Sequence, residues 1–326
     1  MRRAKFLTTS IIAACALSVA SAAPPEGKGG GKGGGGGGDP EPPTAFEPEF
    51  GGIRIGGRNK SDQLVLTNRD NSIEVVAVDR KGMRGLDLSN DTAKRITFWI
   101  GNSIYLQSWS NGASFSVSEP KVIYTNNEGL GPADFSPDGT KLAFLEKVGG
   151  QPALRICNLH SAELRCESTQ PQPALNGRDM KQVRFHPDDN NKVVFLAKPP
   201  PALAEGVYVY TLGGAAPPED PLIPGLVEFH DVGPANGANP PLLVESRTGE
   251  TGFYSLTDGS KVFPAFDGFG FAHRFNCSSD AVLYIETSGG GAYIAVQEFG
   301  GPTERLLKKG WNVNAGHDWI RKTDCP

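Results

Sequence analysis

One turn motif recurs along this chain at nearly constant spacing, and that period restricts the fold more than any other feature of the sequence. The fullest copy is Asp134-Phe135-Ser136-Pro137-Asp138-Gly139-Thr140, running on into Lys141-Leu142-Ala143-Phe144-Leu145. It reads as a strand end, a tight turn and a second strand. Pro137 suits the fixed φ of a turn, Asp138 can bond back to the turn backbone, and Gly139 accepts a positive φ. Related segments place an aromatic residue or Leu at 88, 135, 185, 229, 275 and 319, in steps of 47, 50, 44, 46 and 44. Short apolar strands follow each copy but the last, as in Val193-Val194-Phe195 and then Val207-Tyr208-Val209-Tyr210.

A period of 40–50 residues with several short strands per unit marks the blades of a propeller. A β-sandwich would not repeat one turn at such spacing. The termini set the number of blades. Residues 63–67 and 73–78 look like middle strands of a blade without a first strand, and Trp319 sits in a first strand without a blade. Joining them hides the sheet edges and closes a ring. The prediction is an all-β, six-bladed β-propeller of four-stranded blades, closed by a C-terminal strand that completes the first blade.

The stretch from Phe135 to Phe144 resembles the repeat of TolB-type β-propellers, and alignable repeats cover most of residues 60–320. The resemblance implies the fold, and partners in the cell envelope. The complete Pro-Asp-Gly core occurs at 137–139, and the other copies depart from it. No segment matches the separate N-terminal domain of TolB proteins, and there is no room for the hydrolase domain fused to propellers in some peptidases.

The N-terminus reads as an export signal over residues 1–22. Arg2, Arg3 and Lys5 precede an apolar run, and Ala20-Ser21-Ala22 offers small residues for cleavage. About 14 apolar residues are too few to span a bilayer. Ile12-Ala13-Ala14-Cys15 also resembles a lipobox, so the alternative to a periplasmic or secreted protein is one lipid-anchored through Cys15. Residues 23–50 are Gly-rich, then Pro- and Glu-rich, and are expected to be a disordered leader. The propeller is expected over residues 51–326. Without the signal the chain carries 29 Lys+Arg against 36 Asp+Glu, a charge of about −7. Such a surface suits neither nucleic acid nor an anionic membrane.

Four cysteines remain beyond Cys15, and four in an exported chain suggest two disulfides with three pairings open. The propeller register favours Cys157 with Cys166, within one blade, and Cys277 with Cys325, between neighbouring blades.

His186, His230, His273 and His317 are spaced by 44, 43 and 44 residues, each within two residues of a blade anchor. Imidazoles converging near the channel could hold a divalent transition metal. Metal-dependent pectate-type lyases built on TolB-like propellers place histidines in the channel, and residues 185–195 resemble their repeats. Repetition also produces histidines without function. The chain has no Gly-x-Ser-x-Gly nucleophile motif. Asp188 and Asp189 read as solvated turn residues. The expected function is noncatalytic binding of an envelope protein, peptide or glycan by a monomer without a cofactor. A metal-dependent polysaccharide lyase or hydrolase is the alternative.

Overall fold

The computed structural model describes residues 48–319 except 55–59, 69–72, 90–93, 112–114, 176, 199–204, 215–218, 227, 237–239, 248–249, 263–269, 277–278, 289–290, 300, 302, 307–316. At 245–247, 250–251, 270–273, 286–288, 291–294, 303–306, 317 and 319 the description is of backbone alone. Of the two units of the chain, residues 1–41 and 42–326, only the second holds described residues. The predicted signal, all but the end of the predicted leader, and Cys15, Cys277 and Cys325 lie outside them.

The described residues are nearly all β. The first strands are β1 (Phe50–Arg54), β2 (Asp62–Thr67) and β3 (Glu74–Arg80). The second blade follows with β4 (Met83–Leu88), β5 (Arg95–Ile100) and β6 (Ser103–Asn111). Its outer edge is split between β7 (Phe115–Val117) and β8 (Lys121–Thr125), which pair with opposite ends of β6. Blade three is β9 (Leu130–Phe135), β10 (Lys141–Val148), β11 (Gln151–Leu159) and β12 (Cys166–Pro171). A single 3-10 turn, Pro173–Leu175, leads to blade four: β13 (Asp179–His186), β14 (Asp189–Lys198), β15 (Gly206–Thr211) and β16 (Ile223–Pro224). Blade five is β17 (Asp231–Gly233), β18 (Leu242–Arg247), β19 (Glu250–Ser255) and β20 (Lys261–Val262). Blade six is β21 (Gly270–Phe275), β22 (Ala281–Ser288), β23 (Gly291–Glu298) and β24 (Thr303–Leu306). The last strand, β25 (His317–Trp319), returns to pair antiparallel with β1, giving blade one the order β25-β1-β2-β3. The chain is a six-bladed propeller closed by its C-terminal strand.

Two sequence expectations need correction. Residues 63–67 and 73–78 are the third and outermost strands of blade one, because Phe50–Arg54 supplies the second. The anchor of blade five is Val232, inside β17, and not Phe229, which precedes the strand. With Val232 the steps become 47, 50, 47, 43 and 44.

The blades stack face to face, so their middle strands are covered on both sides. Leu142, Ala143 and Phe144 are consecutive in β10 and all fully buried. Cross-strand aromatic pairs recur at one position: Phe98 stacks on Tyr105 at 5.3 Å in blade two, and Phe195 on Tyr208 at 5.4 Å in blade four. The turn between β9 and β10 is built as its residues predict. Ser136 Oγ and the Thr140 N–H donate to Asp138 Oδ1, the Lys141 N–H donates to Ser136 Oγ, and Gly139 has φ +67°. Cys157 and Cys166 form a disulfide between β11 and β12, as the register predicts.

Candidate functional site

The site lies on the channel, at the residue before each anchor. The innermost strands present Asp318 in blade one, Asp87 in blade two, Asp134 in blade three, Arg184 in blade four, Asp231 in blade five and Arg274 in blade six. A carboxylate at this position ties its blade to the next. Asp318 Oδ2 accepts the Leu88 N–H at 2.8 Å, and Asp87 Oδ2 accepts the Phe135 N–H at 2.8 Å. Asp134 Oδ2 accepts the Phe185 N–H at 2.6 Å, and Asp231 Oδ2 accepts the Phe275 N–H at 2.9 Å. Each bond satisfies a buried backbone donor at the sheet's inner edge, where no further strand can do so.

Two guanidiniums complete the ring. Arg184 Nη1 donates to Asp134 Oδ1 at 2.7 Å and to Asp87 Oδ1 at 3.5 Å, and its Nη2 reaches the His230 carbonyl at 3.4 Å. Arg274 Nη1 donates to the same carbonyl at 2.6 Å. Asp231 lies between them, its Oδ1 3.9 Å from Arg184 Nε and 3.9 Å from Arg274 Nη1. Four carboxylates therefore face two guanidiniums. Asp87, Asp134, Asp231 and Asp318 are all buried.

The electrostatics follow from burial and neighbour order. Burial pushes the Asp87 carboxyl well above its ordinary range, and Asp134 and Asp318 push it further; Arg184 and the Phe135 N–H only partly oppose this. Asp134 is raised by burial, with Arg184 and the Phe185 N–H opposing. Burial alone would loosen the Arg184 proton, but Asp134, Asp231 and Asp87 more than offset it. Arg274 is lowered by burial and by Arg184, yet an arginine remains a cation at physiological pH.

Above the ring the strand turns open into a small funnel with a cavity volume of about 30 Å³, room for about one water molecule. Its wall combines the four carboxylates with Leu88, Phe135, Phe185 and Val232, and Pro137 and Pro187 stand in its lining.

The predicted histidines fall into two registers. His230, His273 and His317 each precede a channel residue by one, whereas His186 follows Arg184 by two. The His186 Nδ1 accepts the Asp188 N–H at 3.3 Å inside its turn, and burial lowers its pKa. The His230 carbonyl bonds both channel arginines, and its N–H donates to the Val244 carbonyl. The side chains of His273 and His317 lie outside the described ones. Among the described residues no group of three or more His, Cys, Asp or Glu is placed to hold a metal ion. Asp188 is more than a solvated turn residue: both its oxygens accept the Ala235 N–H at 3.2 Å, tying blade four to blade five. Sequence reasoning missed the ring, although the Asp-anchor dipeptides 87–88, 134–135 and 318–319 carried its signal.

No protein-family profile matches the chain, and no curated protein matches it. Among solved structures it is similar to TolB from Acinetobacter baumannii, at 15% identity over 87% of this chain and 69% of that one, with a TM-score of 0.64. A putative TolB from Agrobacterium tumefaciens matches at 14% identity over 82% of this chain and 92% of the other, with a TM-score of 0.54. A chain of a nidogen–laminin complex matches at 8% identity over 86% of this chain and all of that one (100%), with a TM-score of 0.57. At these identities the likeness is one of fold. The chain has the TolB-like six-bladed propeller fold.

Proposed function

We propose that the chain is an exported binding protein that holds a segment of an envelope protein or peptide at the mouth of its channel funnel. The observation that carries this reading is the funnel itself, where four buried carboxylates outnumber two guanidiniums and Pro137 and Pro187 stand in the lining. The excess negative charge favours a segment carrying Lys or Arg over a neutral glycan. A propeller of similar fold was solved in a nidogen–laminin complex, which is a protein assembly. Export and placement in the periplasm or outside the cell rest on residues 1–22. Among the described residues no helix is long and apolar enough to cross a membrane.

Capture from an envelope extract tests the reading. A partner held by the mature chain should be lost on a Pro187→Lys variant, which puts a cation into the funnel. It should be retained on Glu167→Lys, on the exposed outer strand β12. Equal retention on both variants would overturn the proposal.

The shared register of His230, His273 and His317 supports a second reading, a metal-dependent lyase or hydrolase using these residues with His186. Elemental analysis of the purified mature chain decides it. Near-stoichiometric zinc, manganese or nickel that disappears in a quadruple His→Ala variant would favour the enzyme. A metal-free, folded protein would remove it.

A further inference from the structure

The seam between blades four and five is tied differently from its neighbours. Asp318, Asp87, Asp134 and Asp231 each accept the anchor N–H of the next blade, but blade four carries Arg184 at that position. Blade four reaches blade five from either side of Arg184 instead. Gln182 Oε1 accepts the Phe229 N–H at 3.1 Å, and both Asp188 oxygens accept the Ala235 N–H at 3.2 Å. The start of β14 grips the other neighbour. Asn190 Oδ1 accepts the Asp138 N–H at 3.0 Å, and Lys141 Nζ donates to the Asn190 carbonyl at 3.1 Å and to Asn191 Oδ1 at 2.8 Å.

These rim bonds share a register. Asp138, Asp188 and Ala235 each stand three residues after the anchors Phe135, Phe185 and Val232, and a proline precedes each: Pro137, Pro187 and Pro234. Proline has no N–H, so that position offers a ring and a carbonyl but no amide donor. Pro137 and Pro187 line the mouth. Asp188 is exposed, unlike the carboxylates of the ring. A carboxylate has about four acceptor sites, and one N–H shared by both oxygens leaves room for further donors. The lysines of these turns are engaged, Lys141 as above and Lys192 with Asp189 at 3.2 Å. The funnel below has room for about one water, so a bound segment meets the rim.

We propose that the rim of blades three to five is the docking edge for the partner, an extended peptide segment whose Lys or Arg side chain pairs with Asp188 while its apolar part lies on Pro137 and Pro187. This assignment rests on the funnel reading above and adds the place and the specificity-determining residue. Three turns tied to one another need little ordering when a segment lands on them, so less entropy opposes binding. An acidic segment would meet Asp138 and Asp188 with like charge.

Titration of the isotope-labelled mature chain with two capped peptides, Ala-Lys-Leu-Lys-Ala and Ala-Glu-Leu-Glu-Ala, tests the assignment through amide chemical shifts. The lysine peptide should shift the Asp138, Asp188 and Ala235 amides, and the glutamate peptide should leave them in place. Asp188→Asn keeps an acceptor for the Ala235 N–H and removes the charge. It should weaken the lysine peptide about threefold, within the range of an exposed ion pair, at an unchanged melting midpoint. Asp79→Asn, exposed in β3, should bind as the wild type does. Shifts confined to the turns of blades six, one and two would overturn this assignment and leave the funnel reading standing. Equal affinity of Asp188→Asn and wild type would overturn it too. So would the absence of any shift with the lysine peptide, while partner capture by the Pro187→Lys variant judges the funnel reading separately.

Discussion

The Oδ2 of Asp318 accepts the backbone N–H of Leu88 at 2.8 Å, joining residues 230 apart in sequence. The same bond recurs from Asp87 to Phe135, from Asp134 to Phe185 and from Asp231 to Phe275. One side-chain position thus does two things. It holds neighbouring blades at a fixed spacing, and it lines the funnel where a partner would enter. The proposed binding surface and the closure of the ring share their residues.

Asp134 is the most exacting of these positions. Asp134→Ala removes the 2.7 Å partner of Arg184 and leaves a buried guanidinium and the Phe185 N–H short of an acceptor. Breaking one side of a buried pair costs about 3–5 kcal/mol. The loss should appear as a lower midpoint in urea unfolding with an unchanged slope.

Gly233 marks the close approach of blades five and six. A Cβ there would stand 2.3 Å from Ser279 Oγ, 2.6 Å from Phe275 Cγ and 2.9 Å from Phe275 Cβ. The Phe275 ring packs against Phe253 and has nowhere to retreat. Gly233→Ala should therefore cost about 1–3 kcal/mol by overpacking, measured by thermal or denaturant unfolding.

The Cys157–Cys166 disulfide closes a short loop, with a sequence separation of 9. Chain entropy gives such a link roughly 2–3 kcal/mol. Cys157→Ser with Cys166→Ser should lower stability by about that much, and reductant should shift the wild type by more than the variant, which keeps Cys277 and Cys325.

Glu146 is a buried acid outside the channel. Arg155, Tyr124 and Asn126 all donate to it. Burial raises its pKa, but these bonds outweigh burial and leave it below the usual range. Its stabilisation is therefore present above the unfolded carboxylate value of about 4.3 and is lost as pH falls through the lower folded value. Tyr124→Phe deletes one donor and should cost about 1–2 kcal/mol at neutral pH and less in strong acid. Burial and Glu146 push the Tyr124 phenol up to about 12, so spectrophotometric titration should lose a late-ionising tyrosine in the same variant.

Most of the fold is legible in the sequence because the repeat is local. The turn at 136–140 announces its strand, turn and strand through residues whose hydrogen bonds stay within the turn. Blade five was misplaced by three residues because Val232 is not aromatic, and Phe229, a buried core residue just upstream, stands in for the anchor. The strand Phe50–Arg54 was hidden because Gly51 and Gly52 break its apolar pattern. Those glycines have a packing reason: a Cβ on Gly51 would meet Leu66 at 3.0 Å and Leu88 at 3.4 Å. The channel ring was harder to see. An Asp before a turn normally reads as solvated, and Arg184 and Arg274 interrupt the series. Only the register between blades reveals that all six residues share one position. The histidines drew attention for their spacing, while the side chains beside them, and the His230 carbonyl rather than its ring, make the contacts between blades.

Site-specific photo-crosslinking in the native envelope tests the central claim most directly. A photoreactive residue placed at Pro187, on the funnel lining, should yield one discrete adduct with a partner protein or peptide. The same probe at Glu167, on the outer face of β12, should yield none. Adducts at Glu167 with none at Pro187 would contradict the account and move the binding surface to the outer edge of the blades.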